Sequence, residues 1–201
     1  MNKPKLVIFE SADGCGKTTQ CELLAKRINA KRLQQPNSQN CVGFIRSIMK
    51  SCESINSDDR QYFAGFSHIV DALTEFDGKS NMVMDRCYLS ALVYGKLTKS
   101  TPEKLDMILK VLKQVYAQSI LGKYDVSIIF LTRHSRYDAE DDDVFEKNTK
   151  WNDLRDEYTS IFAKMMTKEI EFVGSESVHL LDVGEKTIEE IHNEILNIIG
   201  E

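Results

Sequence analysis

The chain has 201 residues, of which 42% are apolar and 28% charged, a composition typical of a soluble globular domain and not of a disordered chain. The net charge of −5 argues against a protein that coats nucleic acid or anionic membrane, and five cysteines without CxxC spacing indicate neither a disulfide framework nor a zinc site. No apolar run approaches the roughly 20 residues of a membrane span, and residues 1–4 leave no room for a signal peptide. We therefore expect one cytoplasmic domain, residues 1–201, that binds neither membrane nor nucleic acid.

The first predicted strand, residues 6–9, is followed by a loop of small residues and then by a helix, residues 20–29. The loop consists of Ser11, Ala12, Asp13, Gly14, Cys15, Gly16, Lys17, Thr18 and Thr19. This order of strand, loop and helix start predicts a P-loop, whose backbone N–H groups and helix N-terminus bind the phosphates of ATP. Lys17 then supplies a charge for the β- and γ-phosphates, and Thr18 supplies a hydroxyl for Mg²⁺.

The loop departs from the usual GxxxxGK[ST] pattern because Ser11 stands at the first glycine. The alternative is a Gly-rich turn between a strand and a helix, with a lysine there by chance. We favour the P-loop because strand, turn, Lys-Thr-Thr and helix all occur in register.

The rest of the chain alternates short apolar runs with amphipathic segments. Strands are expected at residues 31–33, 82–84, 126–131 and 178–181, and helices at residues 43–49, 60–76, 105–116, 151–165 and 188–198. This alternation predicts an α/β fold of P-loop NTPase type: a doubly wound, parallel, five-stranded sheet with helices on both faces. The charged segment 133–149 fits either a lid over an active site or a solvated loop. The apolar side of the predicted helix from Phe63 to Leu73 is a candidate homodimer face.

Charged residues follow two further strands, where ligands of doubly wound sheets bind. Asp85 ends an apolar strand beside the P-loop and can bind Mg²⁺ or its waters, whereas Arg86 can bind a phosphoryl group. A surface ion pair is the alternative for this pair. Arg133 and Arg136 follow the fourth strand; alone they would be read as solvated, but their place in a P-loop protein favours phosphate contacts.

These motifs together resemble the thymidylate kinase family of nucleoside monophosphate kinases, through nearly the whole chain. Residues 9–20 (FESADGCGKTTQ) resemble its FEGxDGxGKSTQ loop, and residues 85–95 (DRCYLSALVYG) its DRYxxS…AYQG motif. Residues 35–46 are similar to its REPGG…GxxIR stretch, and residues 143–158 to the end of its lid and the following helix. Residues 181–184 match the loop that commonly packs on adenine.

The resemblance implies transfer of the γ-phosphoryl of ATP, with Mg²⁺, to a deoxynucleoside 5′-monophosphate, with thymidylate the leading substrate. It implies catalytic roles for Lys17, Asp85, Arg86, Arg133 and Arg136, and metal binding by Thr18 and Asp85. It implies acceptor binding by Asp13, Gln35, Pro36, Arg46, Phe66, His68, Arg86, Ser90 and Tyr94. Asp13 would contact the sugar 3′-hydroxyl, and Arg46 and Arg86 the monophosphate. Because position 15 is Cys and not the arginine of some members, Arg133 or Arg136 would neutralise the transition state.

Departures from the family pattern concentrate in the base pocket. Gln35 lies in the stretch that replaces the family's REP motif. The arginine that the family uses to bind thymine is absent, and His68 lies near its expected position. Gly95 stands where the family has a glutamine. The residues that handle phosphate persist, whereas those that recognise thymine do not. We expect either relaxed specificity among deoxynucleoside monophosphates or recognition of the base through Gln35 and His68.

Two other functions stay open. A deoxynucleoside kinase would suit the arginine pair at residues 133–136, but Asp85 and Gln35 stand where such enzymes usually carry a glutamate and an acidic base. A P-loop protein that binds ATP without turnover is kept open by Ser11 and by the missing REP arginine.

Overall fold

The computed structural model describes residues 3–34, 70–71, 73–97, 102–134, 151–171 and 173–201. Its strands are β1 (Lys5–Glu10), β2 (Lys31–Gln34), β3 (Met82–Asp85), β4 (Asp125–Thr132) and β5 (Val178–Asp182). Its helices are α1 (Lys17–Arg27), α2 (Leu89–Leu97), α3 (Pro102–Tyr116), α4 (Trp151–Met166) and α5 (Ile188–Ile199). A π-helical turn, Ala117–Leu121, extends α3, and a 3-10 turn, Ser175–Ser177, precedes β5. Within these described ranges, no helix has the length and apolar character needed to cross a membrane.

The strands form one parallel sheet in the order β2-β3-β1-β4-β5. The chain leaves β1 toward β2 on one side, whereas it leaves β3 toward β4 on the other. Because such crossovers are right-handed, this reversal puts α1 on the opposite face of the sheet from α2, α3 and α4. The adjacent carboxyl ends of β1 and β3 are therefore the topological switch point, where ligands of this architecture bind.

The central strand β1 is buried along almost its whole length, and its neighbour β4 along its middle and carboxyl-terminal part. Residues 6–9 of β1 and residues 128–131 of β4 are each at most 2% exposed. Strands covered by helices on both faces need such continuous apolar runs. On one face α1 packs against β3 and α5, and on the other α2 packs against α4.

The predicted fold is confirmed, and all five predicted strands are present. The sequence analysis missed α2, since it contains apolar residues on all sides and lacks a periodic polar face. The predicted helix 43–49 lies outside the described residues, as does most of the predicted helix 60–76, although residues 70–71 and 73–75 are helical.

Candidate active site

The loop between β1 and α1 has the backbone geometry of a P-loop. Gly14 and Gly16 have φ angles of 81° and 77°, in the left-handed region that glycine adopts without the steric cost of a side chain. Gly16 immediately precedes α1, and its carbonyl accepts a 3.1 Å hydrogen bond from the N–H of Gln20. The loop therefore turns sharply into the helix and leaves the first N–H groups of α1 without helical partners, as an anion site requires.

Three of the predicted phosphate and metal residues meet at the start of α1. The Lys17 Nζ atom lies 3.3 Å from Asp85 Oδ1, and the Thr18 hydroxyl donates to Asp85 Oδ2 at 2.8 Å. Lys17 and Asp85 are 7% and 2% exposed, so their mutual attraction is only weakly screened by water. Arg32 of β2, which the sequence analysis did not single out, brings a second cation to 3.8 Å from Asp85 Oδ2.

The chemistry of this cluster suits a magnesium ion that also binds phosphate oxygens. Among the described residues there is no group of three or more His, Cys, Asp or Glu side chains that would bind a metal alone. Mg²⁺ in nucleotide sites commonly takes one or two protein oxygens and fills its octahedron with phosphate oxygens and waters. The Thr18 hydroxyl and the Asp85 carboxylate supply oxygens of that kind.

Arg86 follows β3 in a left-handed backbone conformation, with φ 74°. Its N–H donates to the Phe9 carbonyl at 2.9 Å, which extends the pairing of β1 with β3 by one residue. Its guanidinium forms an ion pair with Asp13 and donates to the Ser11 carbonyl at 3.1 Å. The same group lies 5.5 Å from the centre of the Tyr94 ring. Arg86 thus connects the end of β3 to the P-loop.

A buried carboxylate that the sequence analysis gave no role lies behind Arg86. Glu10, the last residue of β1, is fully buried and accepts hydrogen bonds of 2.7 Å from the Cys87 N–H and from the Ser90 hydroxyl. Burial raises the pKa of Glu10, whereas the Ser90 hydrogen bond and the charge of Arg86 oppose that rise. A charged residue that ends an otherwise apolar strand was the available sequence signal.

Tyr158 of α4 completes this network. Its hydroxyl lies 2.9 Å from the Ser90 hydroxyl and is hydrogen-bonded to the guanidinium of Arg86. Ser90 therefore contacts Glu10 on one side and Tyr158 on the other, and both contacts support the position of Arg86.

Residues from both sides of segment 135–150 contact the P-loop backbone. Arg133 donates to the Gly14 carbonyl at 3.1 Å and to the Gly184 carbonyl, also at 3.1 Å. The Trp151 indole N–H donates to the Asp13 carbonyl at 2.8 Å. The sequence analysis included Trp151 only as the first residue of the predicted helix 151–165. That Arg133 reaches the transferred phosphoryl group stays a prediction.

The structure thus brings most of the described candidates to one place. Its P-loop residues lie with Asp85, Arg86, Ser90, Tyr94 and Arg133 around the carboxyl ends of β1 and β3. The other candidates lie outside the described residues: Gln35, Pro36, Arg46, Phe66, His68 and Arg136. A cavity of about 570 Å³ near the amino ends of β4 and β5, lined by Tyr124, Lys168 and others, contains none of the candidates.

Comparisons with known proteins identify related sequences. A family model described as "Thymidylate kinase" matches residues 9–195. A probable thymidylate kinase of Methanococcus maripaludis (strain C6) is 28% identical over 197 residues, which cover 97% of this chain and 94% of that protein. A thymidylate kinase of Fervidobacterium nodosum is 25% identical over 203 residues, which cover 96% of this chain and 98% of that protein.

Solved structures share the fold. The thymidylate kinase of Ehrlichia chaffeensis superimposes with a TM-score of 0.67 at 17% identity, covering 98% of both chains. A deoxyadenosine kinase from M. mycoides with bound dATP gives a TM-score of 0.63 at 13% identity, covering 98% of this chain and 100% of that one. At such low identities, these similarities establish the architecture of the chain. They do not identify the molecule that accepts the phosphoryl group.

Proposed function

The chain belongs to the thymidylate kinase family of ATP-dependent nucleoside monophosphate kinases, and we propose that it transfers the γ-phosphoryl group of ATP, with Mg²⁺, to a deoxynucleoside 5′-monophosphate, foremost thymidylate. The observation that carries this proposal is the meeting of Lys17, Asp85 and Arg86 at the P-loop, at the switch point of the sheet. A phosphate oxygen of the acceptor forms a bond to the γ-phosphorus, and the bond from that phosphorus to the β-γ bridging oxygen breaks. The products are ADP and a nucleoside diphosphate.

On the donor side, the backbone N–H groups of the P-loop and the N-terminus of α1 bind the phosphates. Lys17 neutralises charge on the β- and γ-phosphates, and Thr18 and Asp85 are the residues that would hold Mg²⁺. Bound there, the metal ion would offset negative charge on the phosphate oxygens. Phosphoryl transfer needs little covalent chemistry from the protein, so positioning and charge are sufficient.

On the acceptor side, Arg86 binds the monophosphate and Asp13 the sugar 3′-hydroxyl. The ion pair between them supports this assignment, because it joins the two groups that must contact neighbouring parts of one nucleotide. The guanidinium of Arg86 lies 5.5 Å and 5.8 Å from the centres of the Tyr94 and Tyr158 rings, and these contacts limit it to few orientations. Arginine in such a setting is suited to bidentate phosphate contacts.

A monophosphate suits this site better than a nucleoside. A nucleoside 5′-hydroxyl needs a general base, whereas the oxygens of a monophosphate are already ionised. Asp13 and Asp85 both lie within 4 Å of Lys17, and Asp13 also pairs with Arg86, so cations already occupy both carboxylates. The same proposal includes a cytoplasmic location, a homodimer face on the segment from Phe63 to Leu73 that the sequence predicts to be helical, and base recognition through Gln35 and His68.

The test is a panel of ribo- and deoxyribonucleoside monophosphates, with the matching nucleosides, offered with ATP and Mg²⁺ and assayed by ADP release and product identity. We expect thymidylate to be phosphorylated, and either a second deoxynucleoside monophosphate as well or one base that is selected through Gln35 and His68. Phosphorylation of nucleosides alone would replace the proposal by a deoxynucleoside kinase, and no ADP release with any acceptor would favour an ATP-binding protein without turnover. If two monophosphates with different bases are substrates, His68→Ala should change the ratio of their kcat/KM values. This change should be larger than the change in kcat for the better substrate.

A further inference from the structure

Among the described residues, three side chains from outside the P-loop donate hydrogen bonds to its main-chain carbonyls. Arg86, after β3, donates to the Ser11 carbonyl at 3.1 Å, and Arg133, after β4, donates to the Gly14 carbonyl at 3.1 Å. Trp151, the first residue of α4, donates to the Asp13 carbonyl at 2.8 Å. Three separate parts of the fold therefore fix the direction of loop carbonyls.

The direction of a carbonyl also fixes the direction of an N–H group. A trans peptide unit is planar, and its C=O and N–H point to opposite sides. The Asp13 carbonyl shares its peptide plane with the N–H of Gly14, and a donor that holds this carbonyl outward turns that N–H toward the inside of the loop. Gly14, with φ 81°, has the conformational freedom to let this peptide plane rotate if nothing holds it. The contacts to the Ser11 and Gly14 carbonyls act in the same way on the N–H groups of Ala12 and Cys15.

Of the three contacts, the one from Trp151 is the simplest to interpret, because its donor makes a single hydrogen bond. An indole nitrogen is a donor only, and one donor meets one carbonyl here. Phenylalanine would keep an aromatic ring, smaller than the indole, but would leave the Asp13 carbonyl without this hydrogen bond. The guanidinium of Arg155, one turn later in α4, lies 5.7 Å from the centre of the Trp151 ring and so places a cation over one face of the indole.

We propose that Trp151 is a positioning residue for ATP: its N–H holds the Asp13 carbonyl outward, so that the Gly14 N–H faces the phosphates. Trp151 itself does not touch the nucleotide. This inference rests on the proposed function of the P-loop as the ATP site. It predicts that loss of the indole N–H weakens ATP binding and leaves the binding of the acceptor unchanged.

The test exploits the fact that the chain has one tryptophan. Tryptophan can then be replaced throughout by benzothienylalanine, which has the same shape with sulfur in place of N–H, or by 5-fluorotryptophan, which keeps the N–H. We expect calorimetry to show a Kd for ATP that is about five to ten times larger for the benzothienyl protein. A factor of this size corresponds to the loss of one hydrogen bond. The 5-fluorotryptophan protein is the matched control and should bind ATP as the natural protein does. Trp151→Phe should agree with the benzothienyl protein.

Steady-state kinetics can distinguish a positioning role of Trp151 in ATP binding from a role in the stability of the fold. In the benzothienyl protein the KM for ATP should rise by the same factor, while kcat at saturating ATP and the KM for the monophosphate change less than about twofold. Equal Kd values for ATP in the benzothienyl and 5-fluorotryptophan proteins would overturn the proposal alone. If the natural protein did not bind ATP at all, the proposed function would fail together with it.

Discussion

The Thr18 hydroxyl lies 2.8 Å from Asp85 Oδ2, and this hydrogen bond joins the first turn of α1 to the end of β3. It brings a neutral oxygen and a charged oxygen together beside the amine of Lys17. The sequence positions of the two residues differ by 67, so only the parallel pairing of β1 with β3 brings them together.

Asp85→Asn tests the role of this pair in metal binding. The amide keeps an oxygen that can accept from Thr18 but loses the charge that attracts Mg²⁺ and balances Lys17. We expect the Mg²⁺ concentration for half-maximal activity to rise and kcat to fall by about 10², the scale of one lost electrostatic contact. Asp125→Asn, which makes the same change at an exposed residue at the opposite end of the sheet, is the control. An unchanged Mg²⁺ dependence in Asp85→Asn would exclude this residue from the metal site.

Lys17→Ala tests the P-loop itself. Lys17 is the buried cation of the loop, and its loss leaves Asp13 and Asp85 with less charge compensation where negative phosphates must bind. We expect kcat to fall by about 10² or more. Lys26→Ala removes an exposed lysine from the same helix and should keep normal turnover. Normal turnover in Lys17→Ala would contradict the kinase mechanism proposed here.

Tyr158→Phe tests the support of Arg86 from α4. The change removes the hydroxyl that contacts Arg86 and Ser90 and keeps the ring beside the guanidinium. Because one hydrogen bond contributes about 1 kcal/mol, we expect the KM for the monophosphate to rise about fivefold, with a smaller change in kcat. Tyr124→Phe deletes a hydrogen-bonded hydroxyl far from the site and serves as the control. If both variants gave the same KM, Tyr158 would have no part in acceptor binding.

The fold class and the five strands could be predicted from the sequence because their signals are local, whereas α2 lacks such a signal. Apolar runs located all five strands, and the P-loop fixed the link between β1 and α1. Of the site, Lys17, Thr18, Asp85 and Arg86 were predictable, because the ends of adjacent parallel strands share one edge. Trp151 and Tyr158 were not, since their apolar spacing is explained fully by burial and says nothing about which polar atom the indole or hydroxyl meets. Glu10 and Arg32 depend in the same way on pairing between distant segments.

Arg133 and Arg136 are distinguished by the kinetic parameter that each would change. Arg133 contacts the carbonyls of Gly14 and Gly184, so its loss should disturb the P-loop and raise the KM for ATP. A residue that reaches the γ-phosphate only in the transition state should lower kcat far more than it changes nucleotide affinity. We therefore expect at least one of Arg133→Ala and Arg136→Ala to lose most of its kcat. Normal kcat in both single variants would mean that neither arginine is essential and that catalysis needs another cation.

Cys15 in the P-loop should be protected from alkylation although it lies in a nucleotide site. Burial raises the pKa of its thiol to about 11, and the charges of Lys17 and Arg133 offset only part of this effect. The thiolate is the reactive form, and a thiol whose pKa is two units above its ordinary value is ionised about 100 times less at pH 8. We expect peptide mapping after iodoacetamide treatment at pH 8 to show alkylation of Cys15 about 100 times slower in the folded protein than in urea.

The raised pKa of Cys15 also affects stability, because the folded state binds the thiol proton more tightly than the unfolded state does. The contribution of Cys15 to the free energy of unfolding should therefore decline as the pH rises from about 9 to 11. Cys15→Ala should lose that part of the decline, and equal alkylation rates in the folded and unfolded protein would contradict the raised pKa.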